Sequence, residues 1–99
     1  MRPLEKRIRN AFYASEKWRR LREAHLMAYP LCEICEKEGR VVAAVDVHHI
    51  HSPFVEGMEY ALDVFNLLSL CKECHGRVHT DTERRKQLYK IYDERTNNK

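Results

Sequence analysis

The sequence predicts a small α+β fold: two short strands and a following helix, stabilised by zinc, with helices flanking them on both sides. Three observations lead there. Cys32, Cys35, Cys71 and Cys74 fall as two Cys-x2-Cys pairs, the spacing of zinc knuckles rather than of a disulfide framework. Residues 41–47 and 66–70 are rich in β-branched and apolar side chains and read as strands. Apolar residues recur at helical spacing before the first cysteine pair and after the second. At 99 residues a single domain is expected, and a chain of that size buries only ~60–65% of its unfolded surface, so a metal staple suits its marginal core.

The chain divides into a basic helical arm (residues 1–30), the zinc knuckles and strand-strand-helix core (31–80) and a C-terminal helix (81–99). Leu4, Ile8, Ala11 and Phe12 suggest a short helix over residues 3–12. Ser15 can cap a second helix over 16–28, where Trp18, Leu21, His25 and Ala28 share a face and Pro30 follows the end. Trp18 reads as a core anchor and His25 as helix packing, while Lys17, Arg19, Arg20 and Arg22 form the polar side. Cys32 to Cys35 with Gly39 make a turn-forming knuckle, and the strand at 41–47 ends in the pair His48-His49. Pro53, Gly57 and mixed polarity make 52–65 a loop. The second strand runs into the second knuckle, and a helix then starts near Cys74. His75 and His79 are four apart and project from one side of it. Thr80-Asp81-Thr82-Glu83 has capping-box spacing. Beyond it Leu88, Ile91, Tyr92 and Arg95 line one side of a terminal helix that frays at residues 97–99.

Charge is unevenly spread. Residues 1–28 hold eight Lys/Arg against three Glu, residues 29–80 four against eight acids, and residues 81–99 six against four. Basic arms around an acidic, cation-binding middle suit a polyanion partner. No secretory pattern is visible at the N-terminus, and no apolar run approaches the ~18 residues of a membrane span. A cytoplasmic setting that keeps the thiols reduced for metal is therefore expected, with no membrane partner.

Four thiolates complete a tetrahedron and leave no open position, so the cysteine site is expected to be structural zinc. Such a site contributes ~10–16 kcal/mol of apparent binding free energy against the ~5–15 kcal/mol net stability of a domain. The rival arrangement is three cysteines with His75 or His79. With the cysteines satisfied, His48, His49, His75 and His79 remain, too many for packed core groups. Neighbours on a strand point to opposite sides, so His48 and His49 take different partners. One imidazole shares a metal with His75 and His79 and the other serves as a base near a phosphate, with coordination positions left open for phosphate oxygen and water.

Val47-His48-His49-Ile50, Asn66-Leu67 and the Leu70–His79 run, with Cys71, Cys74, His75 and His79, together resemble the HNH endonucleases, the ββα-metal nucleases. The resemblance spans residues 32–79 and implies a divalent ion clasped between a β-hairpin and a helix. Residue by residue, it implies that His48 is a metal ligand, His49 the general base that activates water, Asn66 the orienter of that base, and His75 and His79 the remaining ligands, with His75 part of the catalytic set. Many members have an aspartate in place of His48 and Lys or Asn in place of His79, so the chain is similar to the all-histidine subclass of the bacterial colicin nucleases. The substrate implied is DNA, with nicking or double-strand cutting and Mg2+, Mn2+, Ni2+ or Zn2+ as the working ion. Arg19, Arg20, Arg22, Arg77, Arg84 and Arg85 are the expected backbone contacts. Asp46 lies two residues before His48 and can support the metal site. Homodimerisation, or partners in phage packaging or restriction, are implied only by resemblance to small freestanding members. The competing reading is a non-catalytic zinc module that binds nucleic acid or protein, which has no use for His48, His49 and Asn66.

Overall fold

In the computed structural model, which describes residues 2–97, helices α1 (Pro3–Tyr13) and α2 (Glu16–Ala28) meet at Ser15. The Ser15 hydroxyl oxygen accepts from the Trp18 N–H at 3.3 Å, and the hydroxyl donates to the Phe12 carbonyl at 2.6 Å. The cap expected at Ser15 is therefore formed, and it fixes the angle between the helices as well as the start of α2. Trp18 is buried, as an anchor should be.

The first knuckle opens with a short helix, α3 (Glu33–Lys37), which ends at Gly39 in the left-handed region at φ 79°. A side chain with a Cβ would be strained there. β1 (Asp46–His49) then pairs antiparallel with β2 (Leu67–Leu70), with Asp46 opposite Leu70 and His49 opposite Leu67. The first strand is shorter and later than the β-branched run suggests. Residues 41–45 have no full-length partner: Ala43 makes an isolated bridge with Leu31, and the segment is held by Cys32 N–H to Val42 O and Ala44 N–H to Pro30 O. Pro30 has no N–H to continue a ladder, so the β propensity of the run is spent on a single bridge. β2 is buried along its whole length, which explains its near-continuous apolar sequence.

Residues 52–65 are not a plain loop. They contain α4 (Pro53–Glu56) and 3-10 turns at Met58–Tyr60 and Val64–Asn66. Proline at the first position starts α4, and the Glu56 carboxylate reaches back to accept from the Ser52 N–H at 2.9 Å. Helix α5 (Lys72–Thr80) begins at Cys71, whose sulfur accepts from the Cys74 N–H, and α6 (Thr82–Asn97) completes the described chain. Asp81, not Thr80, caps α6, because its carboxylate accepts from the Glu83 and Arg84 N–H groups. Leu88, Ile91 and Tyr92 pack inward as their spacing implies. Of the fray expected at 97–99, Asn97 is helical, and Asn98 and Lys99 lie outside the described residues. No helix among the described residues is long and apolar enough to cross a membrane.

The core is built around the cysteines. Ile34, Ile50, Leu68, Leu70, Val78 and Leu88 surround Cys32, Cys35, Cys71 and Cys74 in one buried cluster. A polar clamp binds the flanking helices to it. Glu33, between the first two cysteines, accepts from His25 Nε2 of α2 at 3.0 Å, from the Ser69 N–H at 2.6 Å and from Arg95 of α6 at 3.1 Å. His25 thus packs by hydrogen bonding rather than by apolar contact alone. Arg95 also donates to the Phe65 and Leu67 carbonyls. Glu33→Ala should cost about 2–3 kcal/mol in urea unfolding, less than a fully buried pair because Arg95 is partly exposed. A loss under ~0.5 kcal/mol would show that the clamp contributes little.

Candidate active site

Two clusters of metal-ligating atoms form, one on each side of Cys74-His75. In the first, Sγ of Cys35 lies 3.7 Å from that of Cys74 and 3.9 Å from that of Cys71, and all four cysteines are buried. Sulfurs 2.3 Å from a central zinc would stand ~3.8 Å apart at tetrahedral angles, so the donor set and its spacing fit zinc. Burial pushes the Cys35 and Cys74 thiols up. Holding several thiolates there needs a cation among them. Burial also opposes ionisation of Cys32, but N–H groups of Cys35 and Cys71 bring its pKa down to about 7.

The second cluster joins the end of β1 to α5. Ligand atoms of His48, His75 and His79 lie within 4.8 Å of one another, and Nε2 of His75 and Nε2 of His79 are 3.1 Å apart. Two imidazole nitrogens bound to one first-row ion at 2.0–2.1 Å stand ~2.9–3.4 Å apart, so this set fits a divalent metal too. His75 Nδ1–H donates to the Asp46 carboxylate at 3.1 Å, which turns its Nε2 toward the other two rings. Burial, then the neighbouring His75, His79 and His49, pushes His48 down to about 3, and burial, His75 and Arg85 lower His79. Both rings are thereby kept neutral, the form that binds metal. Neither His75 nor His79 enters the sulfur cluster, so the rival three-cysteine site is not the one formed.

His49 points away from His48, as strand alternation requires, and enters an aromatic nest. Its ring stacks on Trp18 at 4.6 Å and 26°, with Phe12 and Tyr13 close by and Phe54 packed on both. Nε2 lies 2.9 Å from the Ala61 carbonyl, which has only lone pairs to offer, so Nε2 carries the proton and Nδ1 keeps its lone pair. Burial lowers the pKa of His49, although that carbonyl works in the opposite sense. Asn66 is wholly buried, and its three side-chain hydrogen bonds all go to backbone. It accepts from the His51 N–H at 2.7 Å and donates to the His51 carbonyl at 2.9 Å and the Tyr60 carbonyl at 3.0 Å. The amide thus fixes the chain one residue before the carbonyl that holds His49 and does not hold the ring itself.

A cleft of about 630 Å³ is lined by His48, His49, His75, His79, Tyr13 and Arg85, among others. Arg85 alone of the six arginines expected at a polyanion lines it. Arg19 and Arg20 pair with Glu16, Arg77 with Glu73 and Arg84 with Glu38, while Arg22 donates to the Val45 carbonyl. The aromatic nest escaped the sequence reading because only the fold brings Phe12 and Tyr13 of α1, Trp18 of α2 and Phe54 of α4 together around His49. The histidine neighbours of His48 were visible because α5 carries two of them one turn apart.

Residues 32–81 match the family model for HNH endonuclease. The chain belongs to the HNH endonuclease family. Its fold is similar to that of the HNH endonuclease of the deep-sea thermophilic bacteriophage GVE2, solved with manganese ion, at 38% identity and a TM-score of 0.73, covering 82% of this chain and 88% of that one. Among curated proteins no match was found. The chain is thus an HNH nuclease with a ββα-metal core formed by β1, β2 and α5, and the sulfur cluster beside that core suits structural zinc. Family membership favours a nuclease over the competing reading as a zinc module without chemistry.

Proposed function

We propose that this HNH protein is a metal-dependent DNA endonuclease that hydrolyses phosphodiester bonds, with His48, His75 and His79 as ligands of a divalent ion and His49 as general base. The observation that carries this reading is that the three clustered imidazoles and His49, on opposite sides of β1, line one cleft. When bound, the ion supplies positive charge for the phosphate and for the departing 3′ oxygen. His49 takes a proton from the attacking water through Nδ1, which is available because Nε2–H is committed to the Ala61 carbonyl. Burial keeps that ring neutral at pH 7, so the base is ready without prior deprotonation. Asn66 holds the segment that presents the carbonyl, and Arg85 holds a phosphate oxygen at the mouth. The other five arginines contact the backbone of longer DNA by exchanging their carboxylate partners for phosphate.

The manganese in the phage relative supports Mn2+ as one working ion, and the imidazole donors also accept Ni2+ and Zn2+. A phage-related setting such as DNA packaging or restriction fits the same likeness. The test is plasmid nicking by protein that retains its sulfur-bound zinc, titrated with Mg2+, Mn2+, Ni2+ or Zn2+. Wild type should nick with at least one of them and His48→Ala with none at comparable concentration. Equal nicking by both proteins rules the imidazole site out. Asp46→Ala should weaken ion binding by calorimetry ~10-fold, the low end for such a partner because the carboxylate is partly exposed. Unchanged affinity would remove Asp46 from the site.

A further inference from the structure

Tyr13 is the last residue of α1, outside the segment that matches the family, yet it reaches the cleft. Its side chain is held from several directions. The ring packs edge-on to Phe12 and Trp18 and lies against Phe54, and the Ser15 turn fixes its backbone. One side remains open, with the residue 41% exposed. Its hydroxyl stands 3.4 Å from His49 Nδ1, the nitrogen that retains a lone pair. That distance is long for a direct O–H···N bond, and a water ~2.8 Å from both atoms would sit beside the pair, on the side where both line the cleft.

We propose that the Tyr13 hydroxyl positions the attacking water, which donates one hydrogen to His49 Nδ1 and the other to the Tyr13 oxygen. The inference rests on His49 being the general base. Held at two points, the water has a lone pair left to aim at phosphorus. As its oxygen bonds to phosphorus, the bond from phosphorus to the 3′ oxygen breaks. The first hydrogen passes to Nδ1, the second stays with the new phosphate oxygen, and the 3′ oxygen leaves with the bonding pair and is protonated from solvent. Tyr13 keeps its own proton, which is free to donate to a phosphate oxygen. Burial, only partly offset by Arg9, raises the pKa of the phenol, so it is not ionised at neutral pH.

Tyr13→Phe removes only the hydroxyl and leaves the ring in its packing. In steady-state nicking, kcat should fall ~10–100-fold with KM within about twofold. The same fall should appear with bis(4-nitrophenyl) phosphate, which is too small to engage the DNA-binding arms and has a leaving group that needs no help. A second measurement needs neither turnover nor catalytic metal: nitrogen NMR of the zinc-loaded protein should show the His49 Nδ1 resonance shifted in Tyr13→Phe as its hydroxyl-side partner is lost. Zinc content and melting temperature matching wild type confirm that the variant is folded. Wild-type kcat in Tyr13→Phe, an effect on KM alone, or an unchanged Nδ1 resonance overturns the proposal. His49→Ala in the same assays separates the two ideas. If it is inactive while Tyr13→Phe is not, only the water-positioning role fails; if it is active, the base assignment fails and the role of Tyr13 falls with it.

Discussion

Stripping zinc from the four cysteines, or replacing Cys35 with serine, should abolish cooperative unfolding of the chain. The sulfur cluster lies inside the hydrophobic core, with Leu68, Leu70, Val78 and Leu88 around it, so losing the ion does more than loosen a surface knuckle. It leaves buried thiols packed 3.7–3.9 Å apart with nothing between them. The ~10–16 kcal/mol of apparent binding free energy at such a site is comparable to or larger than the ~5–15 kcal/mol net stability of a domain, so little native protein should survive its loss. Far-UV circular dichroism with a strong chelator, followed by zinc add-back, checks this. A chelated protein that still melts in one sharp transition near the holo temperature would mean that the cluster is not the staple.

His49→Ala should lower the nicking rate ~10²–10⁴-fold, the usual contribution of a positioned base. Deleting the ring also leaves the Ala61 carbonyl without its donor and a gap beside Trp18, so some stability is lost as well. The two effects separate experimentally. Nicking is measured well below the variant's melting temperature, with both metals quantified, and exogenous imidazole is added to fill the gap. A variant that is folded, fully metal-loaded and cuts within threefold of wild type contradicts the role given to His49, a bound far narrower than the effect expected of a base.

The two clusters of metal-ligating side chains were legible in the sequence because their constraints are local. A Cys-x2-Cys turn, histidines four apart on a helix and neighbours on a strand each determine geometry over a few residues, and the clusters follow. The helix starting at Ser15 was equally legible, since its cap lies next to the residues it serves. What could not be read depends on distant partners. The β-branched run at 41–45 has the composition of a strand but meets only Leu31 through a bridge, and that depends on where Pro30 lands. Glu33 reads as an ordinary acid in a knuckle, and only the fold brings His25 and Arg95 to it from opposite ends of the chain. The hydrogen bonds of Asn66 were not legible either, since they go to the backbone of His51 and Tyr60 rather than to the His49 ring.

Cys74 and His75 are adjacent on α5, and the sulfur of Cys71 caps that helix. Zinc held by the thiolates would therefore also hold the register between His48 and the helix histidines. Zinc is expected to bind first, because the imidazoles are preorganised for a second cation only when the thiolates are in place. Zinc-depleted protein is therefore expected to lack the imidazole site as well as the sulfur one.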